Sequence, residues 1–188
     1  MDKKLFIVST RTIDTTLIAG WRNGSLRVQQ VKTYKDLNDK DVQTIRGQMK
    51  LYRTKGFTAV ANEPITRFAG DGIMSISLTD KDSNNIPRLT SALTAFKQLS
   101  KRGGISYAEG AKPIMVPETV YNETVNERGE TSYVVDWEML DERALALLTA
   151  IYCALNHVTA ESNYLQAVFG HINKGRNPNL KSKLVGTF

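Results

Sequence analysis

Cysteine and histidine are almost absent from this chain. Cys153, His157 and His171 are the only such residues in 188. One thiol cannot form an internal disulfide, and no His or Cys has a companion at metal-ligand spacing, which argues against zinc. Cys153 lies inside an apolar run and reads as packing. Long apolar runs are lacking too. Nothing approaches the roughly 18 residues of a membrane span, and MDKKLFIVST is too short in its apolar part for a secretory leader. A cytoplasmic location without membrane contact is expected. No Gly-x-Ser-x-Gly occurs, so a serine triad has no support. Gly70-Asp71-Gly72 lacks the further glycines and lysine of a phosphate loop.

Acid is scarce at both ends. The first 35 residues carry Lys3, Lys4, Arg11, Arg22, Arg27, Lys32 and Lys35 against Asp2 and Asp14. The last 18 carry Lys174, Arg176, Lys181 and Lys183 and no acid. The net charge is +6. Such asymmetry points to a polyanion, most often nucleic acid, and makes Arg11, Arg22, Arg27, Lys174, Arg176, Lys181 and Lys183 the candidate phosphate contacts; the resemblance given below implies DNA more than RNA. A merely basic soluble protein is the alternative. Trp21 and Tyr34 could stack on bases, although strand aromatics are more often core.

What is present is a regular alternation of elements. Residues 5–8 form a short apolar run typical of a buried strand, and residues 15–21 and 26–32 continue as strands around an Asn23-Gly24 hairpin turn. Residues 36–55 repeat apolar positions near the helical period, with Gly56 as the stop. Residues 57–61 form a strand, and a helix between it and the meander suggests parallel addition to the sheet. Residues 73–78 alternate weakly. Asn84 or Asn85 is expected to cap a helix over 87–102. Residues 112–117 are expected as a short strand between prolines, and 126–130 as a hairpin tip. An apolar helix then runs to about 157, with Asp136, Glu138, Asp141 and Glu142 at its mouth. A last helix is expected from 159 or 162 to 172. The domain is expected over 1–173, with a basic tail over 174–188.

This order resembles the ribonuclease H-like superfamily, of the phage terminase large-subunit nuclease and Holliday-junction resolvase type. The resemblance covers roughly residues 5–157. It implies an α/β fold with a mixed five-stranded sheet, an antiparallel meander followed by parallel strands, flanked by helices. It also implies carboxylates at one sheet edge holding Mg²⁺ or Mn²⁺, since hard cations take oxygen ligands. Glu63, after the fourth strand, and Asp141-Glu142, leading the apolar helix, are similar to the family's acids. Glu63, Asp141 and Asp14 are then the catalytic candidates, and Glu63, Asp141, Asp136 and Glu142 the metal ligands. The family carries an Asp at the end of the first strand. Here that end reads Val8-Ser9-Thr10-Arg11, and the nearest acid is Asp14.

Each acid has a plainer reading. Asp141 suits a helix N-cap, and Glu142 complements the dipole of the first turn. Glu63 before Pro64 suits a turn, and Asp71, Asp80 and Asp82 suit loops. The implied function is a metal-dependent phage-type nuclease or nuclease-derived DNA-processing protein. A terminase role would need a separate motor subunit. The alternative is an inactive descendant that binds nucleic acid or protein as an assembly, packaging or inhibitory factor.

Overall fold

The computed structural model describes residues 2–10, 14–34, 38–62, 68, 72–118, 121–125 and 131–156. The chain opens with β1 (Lys3–Ser9), β2 (Asp14–Arg22) and β3 (Ser25–Tyr34). Asn23 and Gly24 both take positive φ at the β2–β3 turn, which is what an Asn-Gly hairpin requires. β1 and β2 are antiparallel, as are β2 and β3. A bulge at Ile18/Ala19 shifts the second pairing.

Helix α1 (Asp39–Thr54) begins behind Asn38, whose side chain accepts from the Asp41 amide at 2.9 Å. This cap sets the start three residues later than the periodicity alone suggests. β4 (Thr58–Ala61) then joins β1 in parallel, as the helix crossover required. β5 (Met74–Ser75) joins β4, also in parallel. Helix α2 (Arg88–Lys101) starts at Pro87 without a side-chain cap. The expected Asn caps sit instead in a loop organised by Asp82, whose carboxylate accepts from the amides of Asn84 and Ile86.

The sheet has six strands, in the order β5-β4-β1-β2-β3-β6, rather than five. The sixth is β6 (Ile105–Tyr107), parallel to β3. The expected strand at 112–117 is absent, because this segment has no ladder partner. Its prolines cannot donate, and the Ile114 amide binds the Tyr107 hydroxyl at 3.1 Å instead. β7 (Tyr121–Val125) and β8 (Thr131–Val135) form a separate hairpin, whose tip lies outside the described residues. A short 3-10 turn, Trp137–Met139, precedes α3 (Glu142–Leu155).

The two sheet faces carry different layers. Phe6, Val8, Ile18, Tyr34 and Ala59 pack with Ile45 and Met49 of α1, and with Phe68. The opposite face takes α3, which packs on β1, β2 and α2. Leu145, Leu147, Leu148 and Ile151 are all buried there, and each such side chain contributes about 1.5–3 kcal/mol when removed from water. Residues 1–156 form one compact unit. The expected last helix and basic tail lie outside the described residues. Among the described residues no helix is long and apolar enough to cross a membrane.

Candidate functional site at the carboxyl end of the first strand

One helix is tied to both ends of one strand. At its start, β1 sends the Lys3 ammonium to the carbonyls of Cys153 and Ala154 at the end of α3. A cation there meets the orphan carbonyls and the negative end of the helix dipole. Burial lowers the Lys3 pKa, and the neighbouring Cys153 opposes that shift. At its far end, β1 meets the start of α3 through Ser9 and Glu142. The lengths agree: seven strand residues span about 23 Å and fourteen helical residues about 21 Å.

Ser9 closes β1 on the α3 face and has no exposed surface. Its hydroxyl donates to Glu142 Oε2 at 2.5 Å. Asn62, the residue after β4, donates from Nδ2 to Ser9 Oγ at 2.6 Å. The Thr10 amide reaches Asn62 Oδ1 at 3.4 Å. The Asn62 backbone amide extends the β1–β4 ladder by bonding the Val8 carbonyl at 3.1 Å. Both Asn62 and Glu142 are only 4% exposed. A buried carboxylate is costly unless it is hydrogen-bonded. The Ser9 hydroxyl meets that requirement for Glu142, and the dipole at the first turn of α3 favours its charge.

The place is significant. From β1 the chain turns to β2 on one side, while β4, on the other, leads on to β5. Ligands of open α/β sheets bind beyond the carboxyl ends of strands at such a switch point. Along the same row of the sheet, Ser9 pairs with Thr15 and Thr15 with Thr33. The Thr15 and Thr33 hydroxyls stand 3.3 Å apart. Beyond Thr33 lies a cleft of about 270 Å³ lined by Val31, Thr33, Gly110, Lys112 and Arg143. Arg143 donates to the carbonyls of Lys112 and Pro113.

Register decides where the expected acids lie. Asp14 pairs with Tyr34, which packs against α1. The pleat therefore puts Asp14 on the α1 face, opposite to Ser9 and Glu142. It is buried, with 1% exposure. Asp141 is the N-cap of α3, its carboxylate accepting from the Ala144 amide at 2.7 Å. Asp136 accepts from the Glu138 amide at 3.1 Å and organises the turn before α3. Asp80 lies 3.8 Å from Arg88. Glu63, Asp71, Arg11, Lys174, Arg176, Lys181 and Lys183 fall outside the described residues. Among the described residues, no three of His, Cys, Asp and Glu come together to hold a metal ion.

The donor set of the Ser9 cluster does not suit Mg²⁺ or Mn²⁺. Mg²⁺ takes oxygen ligands and is held through one or two carboxylates plus waters, so a carboxylate must be left open to it. Among the described residues the cluster offers one carboxylate, one hydroxyl already donating to it, and an amide whose nitrogen donates to that hydroxyl and whose oxygen accepts from the Thr10 amide. Asn62 was not singled out from the sequence. Its signal is a polar residue ending a strand parallel to the one that Ser9 ends.

Arg22 and Arg27 are both exposed. Arg22 pairs with Asp2 at 3.5 Å. Cys153 is fully buried, and burial pushes its thiol up to about 12, which makes it unreactive and fits its reading as packing. No family model matches the chain, and no curated protein matches it.

Proposed function

We propose that this chain is a non-catalytic, nucleic-acid-binding protein of ribonuclease H-like type. The observation that carries this reading is Ser9. It ends β1 where the resembled family places a metal-bridging Asp, and its hydroxyl joins Glu142 and Asn62 in a buried, mutually hydrogen-bonded cluster. The antiparallel meander followed by parallel strands supports the fold half of the reading. The excess of basic residues supports the polyanion half. Such a protein would serve as an assembly, packaging or inhibitory factor on DNA, gripping phosphates without reading sequence.

A second reading keeps the nuclease. It is favoured by Glu142 and Asp141 standing at the carboxyl end of β1 and by Glu63 directly following Asn62 in the chain. It requires Glu63 to join Glu142 at that edge.

Plasmid digestion in Mn²⁺, run alongside filter binding of the same DNA over a salt series, separates the two. The first reading expects salt-sensitive retention of intact plasmid. Cleavage that disappears in Glu63→Ala and Glu142→Gln would establish the second.

A further inference from the structure

The cations with the clearest structural arrangement lie far from the Ser9 cluster. On β2, Ile18 packs against α1, so Gly20 and Arg22 share its face. Gly20 pairs on one side with Lys4 of β1 and on the other with Arg27 of β3. Lys4, Gly20 and Arg27 thus form one row across three strands, continued by Ser106 of β6. Both cations are exposed. Lys4 Nζ lies over the Phe57 ring at 5.6 Å and reaches the Lys55 carbonyl. Lys55 Nζ in turn lies over Tyr52. Among the described residues no carboxylate pairs with Lys4, Arg27 or Lys55. Asp2 pairs with Arg22, an exposed contact of small energetic weight.

Strand neighbours are about 4.8 Å apart, so Lys4 and Arg27 stand roughly 10 Å apart across the glycine. A Cβ at Gly20 would meet only Gln29 Nε2, at 3.8 Å. The row is therefore a shallow trough with a glycine floor beside the Gln29 amide and a basic residue on each wall, the Lys4 ammonium leaning outward to Phe57. Glycine within a strand often marks the close approach of another backbone. Next to the row, a cleft of about 470 Å³ is bordered by Gln29, Gln30, Tyr52 and Glu109. Its acid, Glu109, would repel phosphate from that cleft.

We infer that the trough over Gly20, walled by Lys4 and Arg27 and flanked by Arg22 and Lys55, seats the phosphodiester backbone of a nucleic acid. This rests on the nucleic-acid reading above and gives it a place. That place is at the opposite end and on the opposite face of the sheet from Ser9 and Glu142, so binding there does not present the backbone to the carboxylate.

The test is fluorescence anisotropy of the full chain with labelled single-stranded and duplex DNA across a potassium chloride series. Lys4→Ala/Arg27→Ala should weaken binding by roughly tenfold or more and flatten the slope of log K against log salt by about 2. Gly20→Leu should weaken binding at unchanged net charge. Lys40→Ala/Lys81→Ala, which removes equal charge elsewhere, should change the slope little. Wild-type protein that binds neither DNA at low salt overturns the nucleic-acid reading and this inference with it. Wild-type binding that falls no further in the Lys4/Arg27 pair than in the Lys40/Lys81 pair overturns the trough alone. Equally tight, Lys4- and Arg27-dependent binding of polyglutamate overturns the assignment to nucleic acid in favour of an acidic protein.

Discussion

Removing the Ser9 hydroxyl should be felt at two other residues. Ser9→Ala deletes the bond to Glu142 and orphans the Asn62 amide, both inside the protein. A hydrogen bond to a charged group contributes about 1.5–3 kcal/mol, and a buried unsatisfied amide costs about 1–3 kcal/mol. The variant should therefore lose about 3–5 kcal/mol. At about 2–4 °C per kcal/mol for a chain of this size, the melting temperature should fall by roughly 6–20 °C. Glu142→Gln keeps the shape but removes the charge that the hydroxyl serves. Urea melts of the wild type, both single variants and the double variant form a cycle. Its coupling energy should be about 1–3 kcal/mol, with m-values unchanged. Additivity within about 0.5 kcal/mol, or a Ser9→Ala cost below about 1 kcal/mol, would refute the cluster as a structural unit.

Three further outcomes follow from the same framework. Asp141→Ala should cost about 1 kcal/mol through loss of the α3 cap, and should leave DNA affinity unchanged in anisotropy titrations. Lys3→Met should cost about 1 kcal/mol by uncovering the carbonyls at the end of α3, seen as earlier hydrogen exchange of the last helical turn than in the wild type. Cys153 has its folded pKa raised, to about 12. Its contribution to stability is therefore complete below the unfolded thiol pKa near 9 and is lost as pH rises from there toward 12. Relative to Cys153→Ala, the wild type should lose about 1.4 kcal/mol per pH unit in that window, measured by denaturant melts. A parallel pH dependence in the two proteins would contradict that account.

Much of the layer order was legible from pattern. Alternating strands around Asn23-Gly24, the helical period before Gly56 and the apolar run after Asp141 each mark an element whose local preferences agree with its tertiary setting. β6 was not legible, because three residues after Gly103-Gly104 carry too little periodicity to announce a strand. The segment at 112–117 failed for the opposite reason: its apolar residues look strand-like, but a strand exists only with a partner, and none is placed there. At the site, Asp141 and Glu142 could be recognised as a pair but not told apart. The cap geometry separates them, since an N-cap carboxylate folds back on its own helix while the next residue is free to face the sheet. The position of Asp14 depends on register, since a shift of one residue in β2 would move it to the other face. Asn62 acquires meaning only once β4 is known to lie beside β1.

Ser9, Asn62 and Glu142 hydrogen-bond one another, and on the non-catalytic reading proposed above they hold no metal ion. Calorimetric titration of the full chain with Mn²⁺ at neutral pH tests that reading most directly. No saturable binding is expected at millimolar Mn²⁺, in the wild type or in Glu142→Gln. Saturable wild-type binding with a Kd below about 1 mM (some −4 kcal/mol) that vanishes in Glu142→Gln would contradict it.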